Sequence, residues 1–77
     1  MMQELVTHIA QGLVDKPDEV ATTMSDEDDT VTIKLSVAQD DLGKVIGKQG
    51  RTARAMRTLL STAAEKAGKK SRLDIVE

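Results

Sequence analysis

Seventy-seven residues allow one small domain, and at that size folding buries only about 60% of the surface the unfolded chain exposes. The chain has no Phe, Tyr, Trp or Cys, which excludes a disulfide scaffold, a thiolate metal site, a cysteine nucleophile and any stacking of bases on aromatic rings. The net charge of −2 conceals a strong asymmetry: residues 1–42 carry −8 and residues 43–77 carry +6.

In chain order, Met2, Leu5, Val6, Ile9 and Leu13 recur at helical spacing, and Pro17 ends the pattern. The N-terminus lacks a basic region before an apolar stretch, and no apolar run approaches the ~20 residues of a membrane span, so the expected location is the cytoplasm. Residues 19–24 form a weaker strand candidate, followed by an acidic connector of Ser25, Asp26, Glu27, Asp28 and Asp29. Val31, Ile33, Leu35 and Val37 then alternate with Thr32, Lys34 and Ser36, the clearest period-two segment in the chain. Two strands joined by a short connector predict an antiparallel hairpin.

A short helix is predicted around residues 40–45 and a long one from Arg51 to Lys66, where Ala53, Met56, Leu60, Ala63, Ala64 and Ala67 share one apolar stripe. Gly68 supplies a stop. Residues 72–76 read as a last strand, with Leu73 and Ile75 on one face and Arg72 and Asp74 on the other. The predicted order is helix, strand, strand, helix, helix, strand.

Between the two later helices lies Gly47-Lys48-Gln49-Gly50. Gly47 can adopt a conformation that would strain other residues, and Gly50 lets a ligand approach the main chain where the next helix begins. The amides and dipole of that helix start suit a phosphate. Five cations, Lys44, Lys48, Arg51, Arg54 and Arg57, fall in a stretch that contains no acid. A bare Gly-x-x-Gly is more often a plain turn; the charge around this one points to a nucleic-acid backbone.

Val45-Ile46-Gly47-Lys48-Gln49-Gly50-Arg51 resembles the V-I-G-x-x-G signature of KH domains, whose glycine loop clamps about four backbone nucleotides. The whole chain, from the first helix through Leu13-Val14-Asp15-Lys16-Pro17 to Leu73-Asp74-Ile75-Val76-Glu77, is similar to the small bacterial single-KH RNA-binding proteins of the KhpA (YlqC) family. The resemblance implies an α+β fold, a type II KH domain over residues 1–77, with three helices on one face of a three-stranded mixed sheet. It implies a site for single-stranded RNA with Lys48 and Gln49 at the backbone, Arg51 on a phosphate, Val45 and Ile46 as apolar floor, and Lys44 and Arg54 as outer contacts. It further implies a homodimer and a heterodimer with a larger KH protein of the Jag (EloR, KhpB) type, linked to cell elongation and envelope synthesis. No cofactor is implied.

Other readings fare worse. A Walker loop needs four residues between its glycines and then Lys with Ser or Thr, whereas Gly43 and Gly47 enclose three and are followed by Lys48-Gln49. A calcium loop starting at Asp26 would need Gly where Val31 stands and Glu where Val37 stands. Gly43-x-x-x-Gly47 sits among charges and is no membrane dimer motif. His8 is the only histidine, expected at the edge of the first helix, and the four methionines read as core filler. Three function classes follow: an RNA chaperone or post-transcriptional regulator, an interaction protein whose main role is pairing, and, far behind, an enzyme, since one His, no Cys and scattered hydroxyls assemble no nucleophile–base pair.

Overall fold

The computed structural model describes residues 2–76. Helix α1 (Met2–Leu13) leads through a 3₁₀ turn (Pro17–Glu19) into strands β1 (Ala21–Glu27) and β2 (Thr30–Ser36). A second 3₁₀ turn (Gln39–Asp41) opens the five-residue helix α2 (Leu42–Ile46), a third (Lys48–Gly50) joins it to α3 (Arg51–Lys66), and β3 (Lys70–Val76) closes the chain. The sheet order is β1-β2-β3, antiparallel on the first side and parallel on the second. This is the α+β arrangement of a type II KH domain, as the element order predicts.

The hairpin is tighter than its acidic residues suggest. Strand β1 runs through Glu27, and only Asp28 and Asp29 form the turn, with φ of 52° and 60°. A two-residue turn with both central φ positive matches the right-handed twist of the flanking strands, and Asp tolerates that conformation better than most residues. The expected connector 25–29 therefore gives its first three residues to the strand. The last strand likewise begins at Lys70 rather than Arg72, because the Lys70 N–H reaches the Asp29 carbonyl at 2.8 Å.

One face of β2 is the floor of the core. Val31, Ile33 and Leu35 are buried there, and their register partner Leu73 is buried beside Ile33. Val6 and Ala10 from α1, Val45 from α2, and Met56 and Leu60 from α3 pack onto the same cluster. Each fully buried Leu or Ile stabilises the fold by about 1.5–3 kcal/mol. The opposite face carries Thr32, Lys34 and Ser36 beside Arg72 and Asp74, which pair at 3.2 Å.

The stripe predicted on α3 holds at Ala53, Met56, Leu60 and Ala64, but Ala67 is exposed. The helix has already ended there: Gly68, at φ 72°, donates to the Glu65 carbonyl and Lys69 to the Ala64 carbonyl, both at 2.9 Å, which satisfies two of the carbonyls at the helix end. His8 is exposed on α1, beside Thr7 and Thr22, whose hydroxyls meet at 2.8 Å. Among the described residues no helix is long and apolar enough to cross a membrane.

Candidate nucleic-acid interface

Helix α2 is too short to hold itself together in water. Two anchors orient it. Val45 is wholly buried in the core, and Asp41, immediately before the helix, is 1% exposed, the one buried charged group among the described residues. The Asp41 carboxylate accepts N–H groups from Asp15 at 3.2 Å and Lys16 at 3.0 Å, and Lys44 Nζ approaches it at 3.4 Å while also pairing with the Asp15 carboxylate. Burial by itself would push the Asp41 carboxyl up; the two amides and Lys44 outweigh it and hold it below the usual carboxylate value. The Asp15 carboxylate, joined by Asp41, holds the Lys44 ammonium above the usual lysine value despite some desolvation.

At the end of α2 the backbone turns sharply. Gly47 sits at φ 78° and ψ 170°, a region essentially closed to residues with a side chain, and its N–H donates to the Gly43 carbonyl at 2.8 Å. A Cβ built on Gly47 would stand 2.2 Å from Thr52 Oγ1, 2.7 Å from Thr52 Cβ and 2.9 Å from Thr52 N. Gln49 and Gly50 are left-handed, at φ 57° and 73°. Gly50 is the N-cap of α3, no side chain caps that helix start by a hydrogen bond, and beyond its two chain neighbours nothing lies within 4 Å of where a Cβ would be. The loop is thus a sharp reversal with open space at Gly50.

Around it the cations divide into two sets. Lys44 is engaged by Asp15 and Asp41. Among the described residues no acid pairs with Lys48, Arg51 or Arg54, and Arg51 only donates to Gln49 Oε1 at 3.3 Å. Lys48, Gln49, Arg51 and Arg54 are exposed, as a phosphate-facing role requires. The apolar floor expected of Val45 and Ile46 falls to Ile46 alone, 37% exposed, because Val45 faces the core. Alternation of two adjacent apolar residues at the end of a one-turn helix puts them on different faces, and the sequence gives no sign of which one the core takes.

The second wall was not legible in the sequence. Arg54, Arg57 and Ser61 follow at i, i+3 and i+7 along one face of α3, and this face looks onto the free edge of β3. The Lys70 N–H and the Val76 carbonyl point toward the hairpin and β2 side, so by alternation the main-chain groups of Ser71, Leu73 and Ile75 turn outward. Arg57 Nη2 reaches the Leu73 carbonyl at 3.4 Å. Between helix and strand lies a cleft of about 360 Å³ lined by Arg57, Leu60, Ser61 and residues 71–74. The cleft thus has Arg57 on its helix wall and the outward main chain of β3 on the other.

A family model described as KhpA/KhpB, KH domain, matches residues 3–75. The chain is similar to the RNA-binding protein KhpA of Halalkalibacterium halodurans, 51% identical over 76 residues that span 99% of this chain and 100% of that protein. It is 47% identical to the protein of the same name from Treponema pallidum, over 100% of this chain and 96% of that one. It is 41% identical to the one from Bacillus subtilis, over 99% of this chain and 94% of that one. Among solved structures, Aquifex aeolicus Era bound to GDP and AlF4− superimposes with a TM-score of 0.65 at 20% identity, over 97% of this chain and 29% of Era. At that identity the likeness to Era shows a shared fold alone.

Proposed function

The chain belongs to the KhpA/KhpB KH-domain family, and from that footing we propose that it binds short single-stranded RNA through the Gly47–Gly50 loop and acts as an RNA chaperone or post-transcriptional regulator. The observation that carries this reading is the loop's own construction. A glycine that tolerates no Cβ sets a sharp reversal at the head of α3, beside Lys48, Arg51 and Arg54, with which no acid among the described residues pairs. Such a site takes a sugar-phosphate backbone.

The same surface limits affinity. With no aromatic residue, the ~1–3 kcal/mol that base stacking adds per base is absent, so binding is weak and tolerant of sequence. That behaviour suits a protein that lets RNA segments pair and exchange. The reading is one of binding and not of catalysis.

Salt titration tests it. With two to four phosphate contacts on a single strand, the logarithm of the association constant should fall against the logarithm of salt concentration with a slope of roughly −1.4 to −2.8. A slope near zero for the wild-type protein would remove the loop from consideration.

Pairing with a second KH chain is the companion reading, both as a homodimer and with a larger Jag (EloR, KhpB) type protein, and through the latter a part in cell elongation and envelope homeostasis. The supporting observation is Leu59. It is 49% exposed, the most exposed large apolar side chain of the described residues, and lies one turn from exposed Ala55 on the outer side of α3. Leu59→Arg should shift the protein to a monomer in sedimentation or light scattering without unfolding it; an unchanged mass would place the interface elsewhere.

A further inference from the structure

We infer that Asp41 is a positioning residue for the glycine loop, and that Lys44 serves this latch and does not contact RNA. The inference rests on the RNA-binding reading above and assigns within it which charged groups hold the loop and which meet the ligand.

The geometry is that of a clamp between two segments distant in sequence. Both carboxylate oxygens of Asp41 are used: Oδ1 accepts the Asp15 N–H and Oδ2 the Lys16 N–H. Those amides belong to the connector that leaves α1. Lys44, one turn further along α2, closes the arrangement by pairing with the Asp15 carboxylate and with Asp41 Oδ1. Lys16 reaches the Asp40 carboxylate at 3.5 Å across the same junction. A carboxylate buried to this extent persists only when its oxygens are satisfied, and here every partner comes from the first connector or from α2 itself.

The consequence falls on the loop. Gly43, whose carbonyl receives the Gly47 N–H, lies between Asp41 and Lys44 in the chain, and the Gly47 carbonyl in turn receives the Gly50 N–H at 3.1 Å. Rotation or fraying of the five-residue helix therefore misplaces Gly47 directly. Lys44, with two carboxylates already beside it, has little charge left to offer a phosphate. It is a cation of the acid-free stretch by sequence, and by position it belongs to the scaffold.

Two readouts separate a positioning role from a contact. The first is amide hydrogen exchange at Gly47 and Gly50, referenced to Leu60 in the middle of α3, which reports global opening. The second is the salt slope of RNA binding. In Asp41→Asn, where an amide N–H₂ must face a main-chain donor, Gly47 and Gly50 should exchange at least about ten times faster relative to Leu60. RNA affinity should drop several-fold at every salt concentration with an unchanged slope, since the phosphate contacts survive in the fraction of molecules whose loop is formed. Lys44→Gln, on an exposed partner, provides the milder variant should Asp41→Asn fail to fold: it should shift exchange in the same direction and also leave the slope unchanged. Lys48→Gln in parallel should cut the slope by about 0.7.

Wild-type exchange rates at Gly47 and Gly50 in both variants would overturn the positioning role, whatever happens to RNA. A slope reduced in Lys44→Gln by as much as in Lys48→Gln would make Lys44 a phosphate contact and overturn its assignment to the latch. Failure of the wild type to bind RNA would instead end the functional reading, while the exchange data would still decide whether Asp41 holds the loop.

Discussion

Replacing Gly47 with alanine is expected to destabilise the domain by about 2–5 kcal/mol and to abolish RNA binding. Two costs combine. The backbone at φ 78° and ψ 170° lies in a region that costs a residue with a side chain about 1–3 kcal/mol. The new methyl would also stand 2.2 Å from Thr52 Oγ1 and 2.9 Å from Thr52 N, so the first turn of α3 must move. For a chain of this length total stability is about 4–12 kcal/mol, so the loss is a large share of it. Gly50→Ala is the control: its φ of 73° is left-handed and nothing lies within 4 Å of a built Cβ, so it should cost only about 1–2 kcal/mol. Urea denaturation of the two variants measures the difference. Adding Thr52→Ala to Gly47→Ala should recover only part of the loss, since Thr52 Cβ at 2.7 Å and Thr52 N remain in the way. Equal costs for Gly47→Ala and Gly50→Ala would contradict the close approach of Gly47 to α3.

Substituting both Lys48 and Gln49 with aspartate is expected to lower RNA affinity by roughly 50–100-fold while the fold persists. One positive and one neutral side chain become two negative ones, a change of three charge units facing a phosphate. At about 5 Å in water each unit is worth about 0.8 kcal/mol, and three amount to about 2.5 kcal/mol. Stability should change little. Both side chains are exposed, and Gln49 is already left-handed at φ 57°, where aspartate is among the better-tolerated residues. The measurement is RNA titration at two salt concentrations, with circular dichroism and molecular mass on both proteins. Undiminished, salt-sensitive binding by a folded double variant would move RNA to another surface, the polar face of the sheet being the alternative.

The order of elements, the α3 boundaries and the core positions of β2 could be read directly from residue patterns, because period-two and 3.6-residue spacing record which face is buried. The glycine loop was legible for a different reason: two glycines between two helical patterns mark a backbone that must turn, and both Gly47 and Gly50 do take positive φ. Where the sequence misled, long-range geometry was the cause. Asp26 and Glu27 look like loop residues, yet they sit in a strand because a two-residue turn at Asp28 and Asp29 fits the twist of the hairpin.

Local sequence determined the fold class, the loop and the sign of the charge around it, since propensity, periodicity and composition act within a few residues. Tertiary structure alone decided the rest. Val45 and Ile46 are adjacent and equally apolar, and only packing against the core buries the first and exposes the second. Lys44 and Lys48 are four residues apart with the same charge, and only the return of the α1 connector to Asp41 engages one and leaves the other facing solvent. Burial and ion pairing depend on partners brought in from about 30 residues away, a relation that no local pattern encodes.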